Sequence, residues 1–363
     1  MSLKTAIHDL HVKSLATMVE FAGYMMPVQY KMGIIEEHNW TRTKCGIFDV
    51  SHMGQVVFKG IEIAEVLSKL TPADFPNLKI PVCKYTLLMN ENGGIVDDLI
   101  VTKLADDYFF VVLNASRKNI DLDVISKHLP SSAAVESYFD SRALIAVQGP
   151  QSFEVLSKIF SDIGNIKYMQ GVKFHDAVYG DVFITRTGYT GEWGYEVSIV
   201  NDLAPKLWEA LTQNDAVRPI GLGARDSLRL EAGYPLYGND IDLNTTPVEA
   251  SLEWVISKNN TSFIGSDVVL KQIENGAAKR RTGVKMVDRG ILRHDYKVFQ
   301  NGEQVGVVTS GGYSPTLSSS IGMCAINSSI KDGEVVEIEI RGKMCAAQVS
   351  AFPMVQINAK GSK

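Results

Sequence analysis

Cysteine is scarce in this sequence: Cys45, Cys83, Cys324 and Cys345 are the only four in 363 residues. They stand far apart, with no CxxC spacing and no histidine at metal-ligand intervals. That speaks against a disulfide framework or a zinc site and for a reducing, cytoplasm-like compartment. Long apolar runs are missing as well. No stretch approaches the ~18 residues that cross a bilayer, and the N-terminus lacks the charged-then-apolar pattern of a secretory signal, so no membrane partner is expected. Excess charge is absent: a formal net charge of −5 leaves no broad basic surface for nucleic acid. The one basic cluster, Lys279-Arg280-Arg281, reads as part of a solvated linker over 271–282. Also missing are a P-loop, a GxSxG elbow and an HExxH helix. Gly221-Leu222-Gly223 lacks the spacing and the βαβ frame of a dinucleotide fingerprint.

What is present is enough apolar material for two or three domains, with 45% of residues hydrophobic and 21% charged, as in an ordinary globular chain. Helical spacing of Leu10, Leu15, Met18, Val19 and Phe21 predicts an amphipathic helix over 5–22, stopped by Gly23 and Pro27. A second helix is expected over 31–45 with Gly46 as a left-handed cap. Further helices are expected over 61–70, 116–128, 152–159 and 202–213, and one that Gly233 closes. Strands are expected at 55–59, around Tyr85 and Leu87, at 95–101, 108–113 and 143–147, and in a hairpin of 182–187 with 194–199. From 283 to 358 short β-like runs alternate with Gly, Asn and Asp, the pattern of an all-β barrel or sandwich. Helices and strands mix without a strict βαβ repeat, so the expected class is α+β.

The segment Asn90-Glu91-Asn92-Gly93-Gly94-Ile95-Val96-Asp97-Asp98-Leu99-Ile100-Val101 carries the strongest chemical signal. Turn formers feed a β-branched strand, and alternation sets Val96, Asp98 and Ile100 on one face against Ile95, Asp97, Leu99 and Val101. Both faces are apolar. An ionised carboxylate on either is costly unless it is paired, neutralised or set on a wet pocket wall; the alternative is one Asp capping the turn beside one that faces solvent. Glu196 alternates with Tyr195, Val197 and Ile199, where facing water is the simpler reading. His52, alone in its loop, reads as structural rather than catalytic. A carboxylate among tyrosines, a methionine and an arginine at a helix start suits a planar heterocycle. Rings pack on aromatic faces and thioethers, and a carboxylate accepts paired N–H bonds such as a pterin edge offers.

The phrases Phe21-Ala22-Gly23, Phe48-Asp49-Val50-Ser51-His52-Met53-Gly54, Asn92 to Ile100 and Arg186-Thr187-Gly188-Tyr189-Thr190-Gly191-Glu192 are followed by Gly221-Leu222-Gly223-Ala224-Arg225-Asp226 with Arg229-Leu230-Glu231-Ala232. Leu236-Tyr237-Gly238-Asn239-Asp240, Thr309-Ser310-Gly311 and Ser314-Pro315-Thr316-Leu317 complete the order. On these residues the chain resembles, along essentially its whole length, the glycine cleavage T-protein family of folate-dependent aminomethyltransferases. The resemblance implies a three-domain cloverleaf of mostly antiparallel sheets around a central folate tunnel. Its parts would be 1–49 with 141–247, 50–140 with 248–277, and a C-terminal β-barrel at 282–363. It implies Asp98 as the catalytic carboxylate, Glu196 as the pterin holder, and Met53, Tyr85, Asn114, Tyr189, Arg225 and Trp254 as further folate-site residues. The implied reaction carries an aminomethyl carbon from the dihydrolipoyl arm of a lipoylated H-protein to tetrahydrofolate, giving methylenetetrahydrofolate and ammonia. It would run in the cytoplasm, or in the mitochondrial matrix for the mature form of a eukaryotic protein. Rival readings are a tetrahydrofolate-dependent demethylase or one-carbon transferase with another donor, and a non-catalytic folate-binding protein. The complete Gly-Gly-Ile-Val-Asp-Asp-Leu phrase, and a turn at 188–192 without cysteine, favour the aminomethyltransferase. Tyr24 and Trp193 stand where the family often has Trp and Asp.

Overall fold

Strands buried on both faces form the centre of the molecule and account for its most continuous apolar runs. In the computed structural model, which describes residues 2–360, every residue of Arg142–Gln148 is buried. This strand lies inside a six-stranded sheet ordered Gly171–Asp176, Gly180–Thr185, Gly194–Val200, Arg142–Gln148, Cys45–Asp49, Val217–Pro219. Only the last pairing is parallel. Ile47, Ala143, Ile145, Val147, Val197 and Ile199 pack on one face with Leu207 and Leu211 of the helix Ala204–Thr212. Phe48, Leu144 and Ala146 pack on the other with Ala224 and Leu228 of the helix Leu222–Ala232.

A second, five-stranded antiparallel sheet is ordered Cys83–Met89, Ile95–Ala105, Tyr108–Leu113, Gly54–Lys59, Ala134–Ser137. The helices Ile63–Leu70 and Lys118–Ser126 cover one face, setting Leu67, Leu70 and Ile125 on Val56, Leu99 and Val101. On its other face Leu87 and Met89 meet Ile241, Val248 and Leu252, and Phe110 stacks on Phe183 of the six-stranded sheet with ring centroids 4.6 Å apart. Strands Lys279–Met286, Ser319–Asn327, Glu303–Ser314, Lys297–Gln300, Val335–Ile340 and Lys343–Ser350 close a barrel in that order, filled by Val284, Val308, Ile326, Val336 and Val349. The class is the expected α+β, with mostly antiparallel sheets and a C-terminal barrel. None of its helices among the described residues is long and apolar enough to cross a membrane.

The helix Leu222–Ala232 joins these parts. Its Glu231 accepts hydrogen bonds from Thr316 Oγ1 of the barrel at 2.8 Å and from Arg42 Nη2 at 2.8 Å, while Arg42 also reaches Glu192 at 3.0 Å. Arg229 pairs with Asp240 at 2.8 Å and donates to Ser310 Oγ at 2.9 Å. Gly233, at φ 78, ends the helix as expected.

Local expectations fail where long-range pairing overrides periodicity. The first helix stops at Lys13; Leu15 turns to φ 57, and Thr17–Phe21 pairs with Tyr24–Gln29, a place that suits β-branched Thr17 and Val19. Gly46 caps no helix, because Cys45–Asp49 pairs directly with Arg142–Gln148. The linker expected at 271–282 is instead the end of the helix Ser266–Asn275 followed by the first barrel strand. Arg281 is buried there and donates to the carbonyls of Ala250 and Gly233 at 2.7 and 2.9 Å. In Ile95–Ala105 a β-bulge makes Val96 an extra residue, since Asp97 pairs with Leu88 and Ile95 with Met89. The strict two-residue period breaks at that point. Val96 consequently joins Leu99 and Val101, and Ile95 joins Leu87, so Asp98 keeps Ile100 but not Val96 on its face.

Candidate active site

The turn before the bulge fixes where the carboxylates sit. Asn90 Oδ1 accepts hydrogen bonds from the amides of Asn92 and Gly94 at 2.9 and 3.0 Å, and Gly93 adopts φ 77. The carbonyl of Leu243 lies so close to Gly94 that a Cβ there would stand 1.9 Å from it. Only glycine admits that approach, and the amide of Ile95 is clamped by the carbonyls of Asp242 and Thr245 at 3.1 Å each.

Three residues on neighbouring strands then converge. Ile100 pairs with Val112, which brings Asn114, just past the end of Tyr108–Leu113, beside Asp98. Its side-chain amide donates to Asp98 Oδ1 at 2.7 Å, to the Asp98 carbonyl at 3.1 Å and to Asp97 Oδ1 at 3.0 Å. Tyr85 lies diagonally across the pairing of Leu87 with Asp98, a distance aromatic side chains span, and its hydroxyl donates to Asp98 Oδ2 at 2.9 Å. The far side of the Tyr85 ring stacks on Trp254, centroids 5.5 Å apart, and Trp254 is 65% exposed. Burial pushes the Asp98 carboxyl up to about 7, the Asp97 charge adds to the rise, and the bonds from Tyr85 and Asn114 oppose it.

A second group faces the same interior. Tyr189 stacks on Tyr234 with centroids 5.8 Å apart and donates to the Pro235 carbonyl, while the Arg225 guanidinium lies over its ring at 4.6 Å. Burial lowers the Arg225 pKa against the pull of Tyr189 and Glu196. Among the described residues that guanidinium makes no hydrogen bond. Because Tyr195, Val197 and Ile199 fill the core on one face, Glu196 points to the other. There it is half-buried, pairs in register with Ala146, and accepts a hydrogen bond from Thr187 Oγ1. Glu196 is therefore only partly open to water, on the face where its register partner Ala146 packs with Ala224 and Leu228 of the helix Leu222–Ala232. Burial raises the Tyr189 hydroxyl, Arg229 opposes the rise and the charge of Asp98 adds to it, so Tyr189 and Asp98 share one electrostatic environment. A cavity of about 40 Å³ between Ile100, Thr187, Gly188, Tyr234 and Arg186 is room for a water or two.

Hydrogen bonds thus unite Asp98, Tyr85 and Asn114; stacking adds Trp254 to them and joins Tyr189 to Arg225. Met53 stays apart from these bonds, half-buried against the cluster of Phe48 and Leu228. His52 is 2% exposed, and burial first, then Arg225, push its imidazole down to about 4. It is neutral and buried edge-on to Phe21, in keeping with a structural role. Sequence reasoning did not single out Asp121. The signal was available: Asp121 stands four residues before buried Ile125, an acid on the apolar stripe of an amphipathic helix.

The unoccupied donors and acceptors, Arg225 and the second oxygen of Glu196, are the kind that hold a polar heterocycle with a charged tail. The GCVT N-terminal domain family matches residues 7–260, and the glycine cleavage T-protein C-terminal barrel domain family matches residues 279–356. An aminomethyltransferase of Halothermothrix orenii is 41% identical over 361 residues, covering 97% of this chain and 99% of the relative. Another, of Thermosipho melanesiensis, is 41% identical over 364 residues and covers 99% of each. The crystal structure of the glycine cleavage system aminomethyltransferase T from Bartonella henselae is similar with a TM-score of 0.93 at 37% identity, covering 98% of this chain and 99% of that one. Matched over both its N-terminal part and its barrel, this chain belongs to the glycine cleavage T-protein family of aminomethyltransferases.

Proposed function

We propose that the chain moves an aminomethyl carbon from the dihydrolipoyl arm of a lipoylated H-protein to tetrahydrofolate, yielding methylenetetrahydrofolate and ammonia. The observation that carries this reading is the Asp98 carboxyl, desolvated, held from two sides and brought to about 7. A base tuned near the working pH both accepts and returns a proton efficiently. In the proposed step, ionised Asp98 accepts a hydrogen bond from the attacking folate nitrogen and takes its proton as the new C–N bond forms. The carbon–sulfur bond breaks with its electron pair on sulfur, which regains a thiol proton, and the substrate nitrogen leaves as ammonia when the second C–N bond closes. The fixed negative charge also stabilises the cationic, iminium-like carbon. Tyr85 and Asn114 prevent Asp98 from swinging away. Glu196 receives the paired N–H groups of the pterin, Arg225 its anionic tail, and Met53, Tyr189 and Trp254 pack on its rings.

Within this reading the working units are 1–49 with 141–247, 50–140 with 248–277 and 282–363, enclosing the folate between them. The four unpaired thiols are in keeping with a cytoplasmic setting. The test supplies aminomethyl-loaded carrier and tetrahydrofolate and follows ammonia release. Release by the wild type and its loss in Asp98→Asn support the reading; full activity of that variant removes Asp98 from the chemistry. Turnover only with a sulfonium or N-methyl donor transfers the assignment to another donor class.

A further inference from the structure

Among the described residues, buried carboxylates are, with one exception, met by donors. Glu37 accepts from the amides of Tyr30 and Gly221, and Asp49 from Thr5, His11 and the amide of Ser51. Asp240 accepts from Arg229, Thr309 and Ser310. Asp121 differs: its side chain is fully buried and neither of its oxygens receives a hydrogen bond from an N–H, an alcohol or a phenol. What faces it is the carboxyl of Asp97, also fully buried. Two carboxylates are acceptors only and repel; two carboxyl groups in contact in an apolar interior hold together when one of them supplies a proton.

The surroundings do not remove that need. Asp121 lies on the helix Lys118–Ser126, with its amide bonded to the Arg117 carbonyl at 2.9 Å. The Arg117 side chain is engaged elsewhere, donating to the Val96 carbonyl at 3.2 Å and lying over the Tyr237 ring at 4.8 Å. Burial raises the Asp121 carboxyl above its ordinary range, the hydrogen bond with Asp97 and then the Arg117 charge favour its ionisation, and Asp98 opposes it. On the opposite side, both oxygens of Asp97 accept from Asn114, at 3.0 Å from its side chain and 3.3 Å from its main chain. The same side-chain amide reaches Asp98 Oδ1 at 2.7 Å. Tyr85 closes the group beyond Asp98, and Tyr237 closes it beyond Arg117.

We propose that Asp97 and Asp121 share a single proton, and that this pair orients Asn114 and so positions Asp98 while keeping one rather than two negative charges behind it. The proposal rests on the role given to Asp98 above and adds Asp97 and Asp121 as positioning residues. A second bare charge behind Asp98 would resist its ionisation. A pair with no charge would leave the Asn114 amide free to turn.

Infrared spectroscopy of the full-length protein tests the shared proton without reference to activity. At a pH of about 8.5, above the ordinary carboxylate range and above the Asp98 titration near 7, the wild type shows a protonated-carboxyl C=O band. That band survives in Asp98→Asn and is lost in both Asp121→Asn and Asp97→Asn. Its absence from the wild type, or its persistence in both pair variants, overturns the proposal. Kinetics supply the second readout. Asp121→Asn puts a permanent N–H where the shared proton sits and leaves the pair charge at one, so the acid limb of the kcat profile stays in place. A downward shift of that limb in Asp121→Asn means that both groups were ionised, and overturns the proposal. Asp121→Ala removes the support, lowering kcat about tenfold with the tetrahydrofolate KM within about twofold. Full kcat in Asp121→Ala contradicts the positioning role. A wild type that forms no ammonia, yet shows the infrared pattern, refutes the reaction and leaves the shared proton standing.

Discussion

Glu231 and Asp98 are both carboxylates in the interior, and their surroundings drive them in opposite directions. Burial would raise Glu231, but His38, Ser314 and Arg42 overturn it and hold the side chain at about 2. For Asp98, burial and the Asp97 carboxyl beside it outweigh uncharged donors such as Tyr85 and Asn114, and it rises to about 7. Burial is the largest upward push on both, so the difference lies in the partners that oppose it. Glu231 ties a helix to the barrel and keeps its charge under all ordinary conditions; Asp98 can change its charge near neutrality. A fold that satisfies one buried acid completely and leaves another incompletely satisfied has separated a structural group from a reactive one.

The sharpest way to break this contrast is to neutralise each acid. Asp98→Asn lowers kcat by about a thousandfold, within the usual range for a positioned acid–base group, and leaves the tetrahydrofolate KM nearly unchanged in steady-state assays. Glu231→Ala leaves Arg42 and His38 facing a buried void and destabilises the fold by about 3–5 kcal/mol in urea unfolding. The pH sign is fixed by its depressed pKa. The stability Glu231 confers is present above the ordinary glutamate value of 4.5 and is lost as pH falls toward 2, so the gap between wild type and variant narrows on acidification. Glu196→Gln weakens tetrahydrofolate binding by about tenfold, the loss of one charge-assisted bond, measured by calorimetry with kcat little altered. The smallest expected effect is in Tyr85→Phe. The Tyr85 bond lowers the Asp98 pKa, so its removal moves the acid limb of kcat upward by about half a pH unit.

Much of the site was legible because its signals are local. The turn at 90–94, the carboxylates at 97 and 98, and the hairpin that carries Glu196 follow from short-range alternation and turn chemistry. What could not be read depends on partners distant in the chain. The bulge at Val96 is set by its pairing with Cys83–Met89, and it removes Val96 from the face expected for it. Arg281 enters the barrel because the carbonyls of Gly233 and Ala250 meet its guanidinium, which no local pattern announces. The orientation of Glu196 is decided by which face of its strand Tyr195, Val197 and Ile199 commit to the core. The pairing of Asp97 with Asp121 requires the chain to fold back after Asn114, which joins two acids that neither periodicity nor motif associates.

The most direct measurement is the pH dependence of single-turnover aminomethyl transfer by the wild type, with Asp98→Asn alongside. The wild-type rate is expected to climb with pH through an ionisation near 7, and the residual rate of the variant to show no such step. A wild-type rate already at its plateau at pH ~5, as an ordinary solvated aspartate would give, would contradict this expectation.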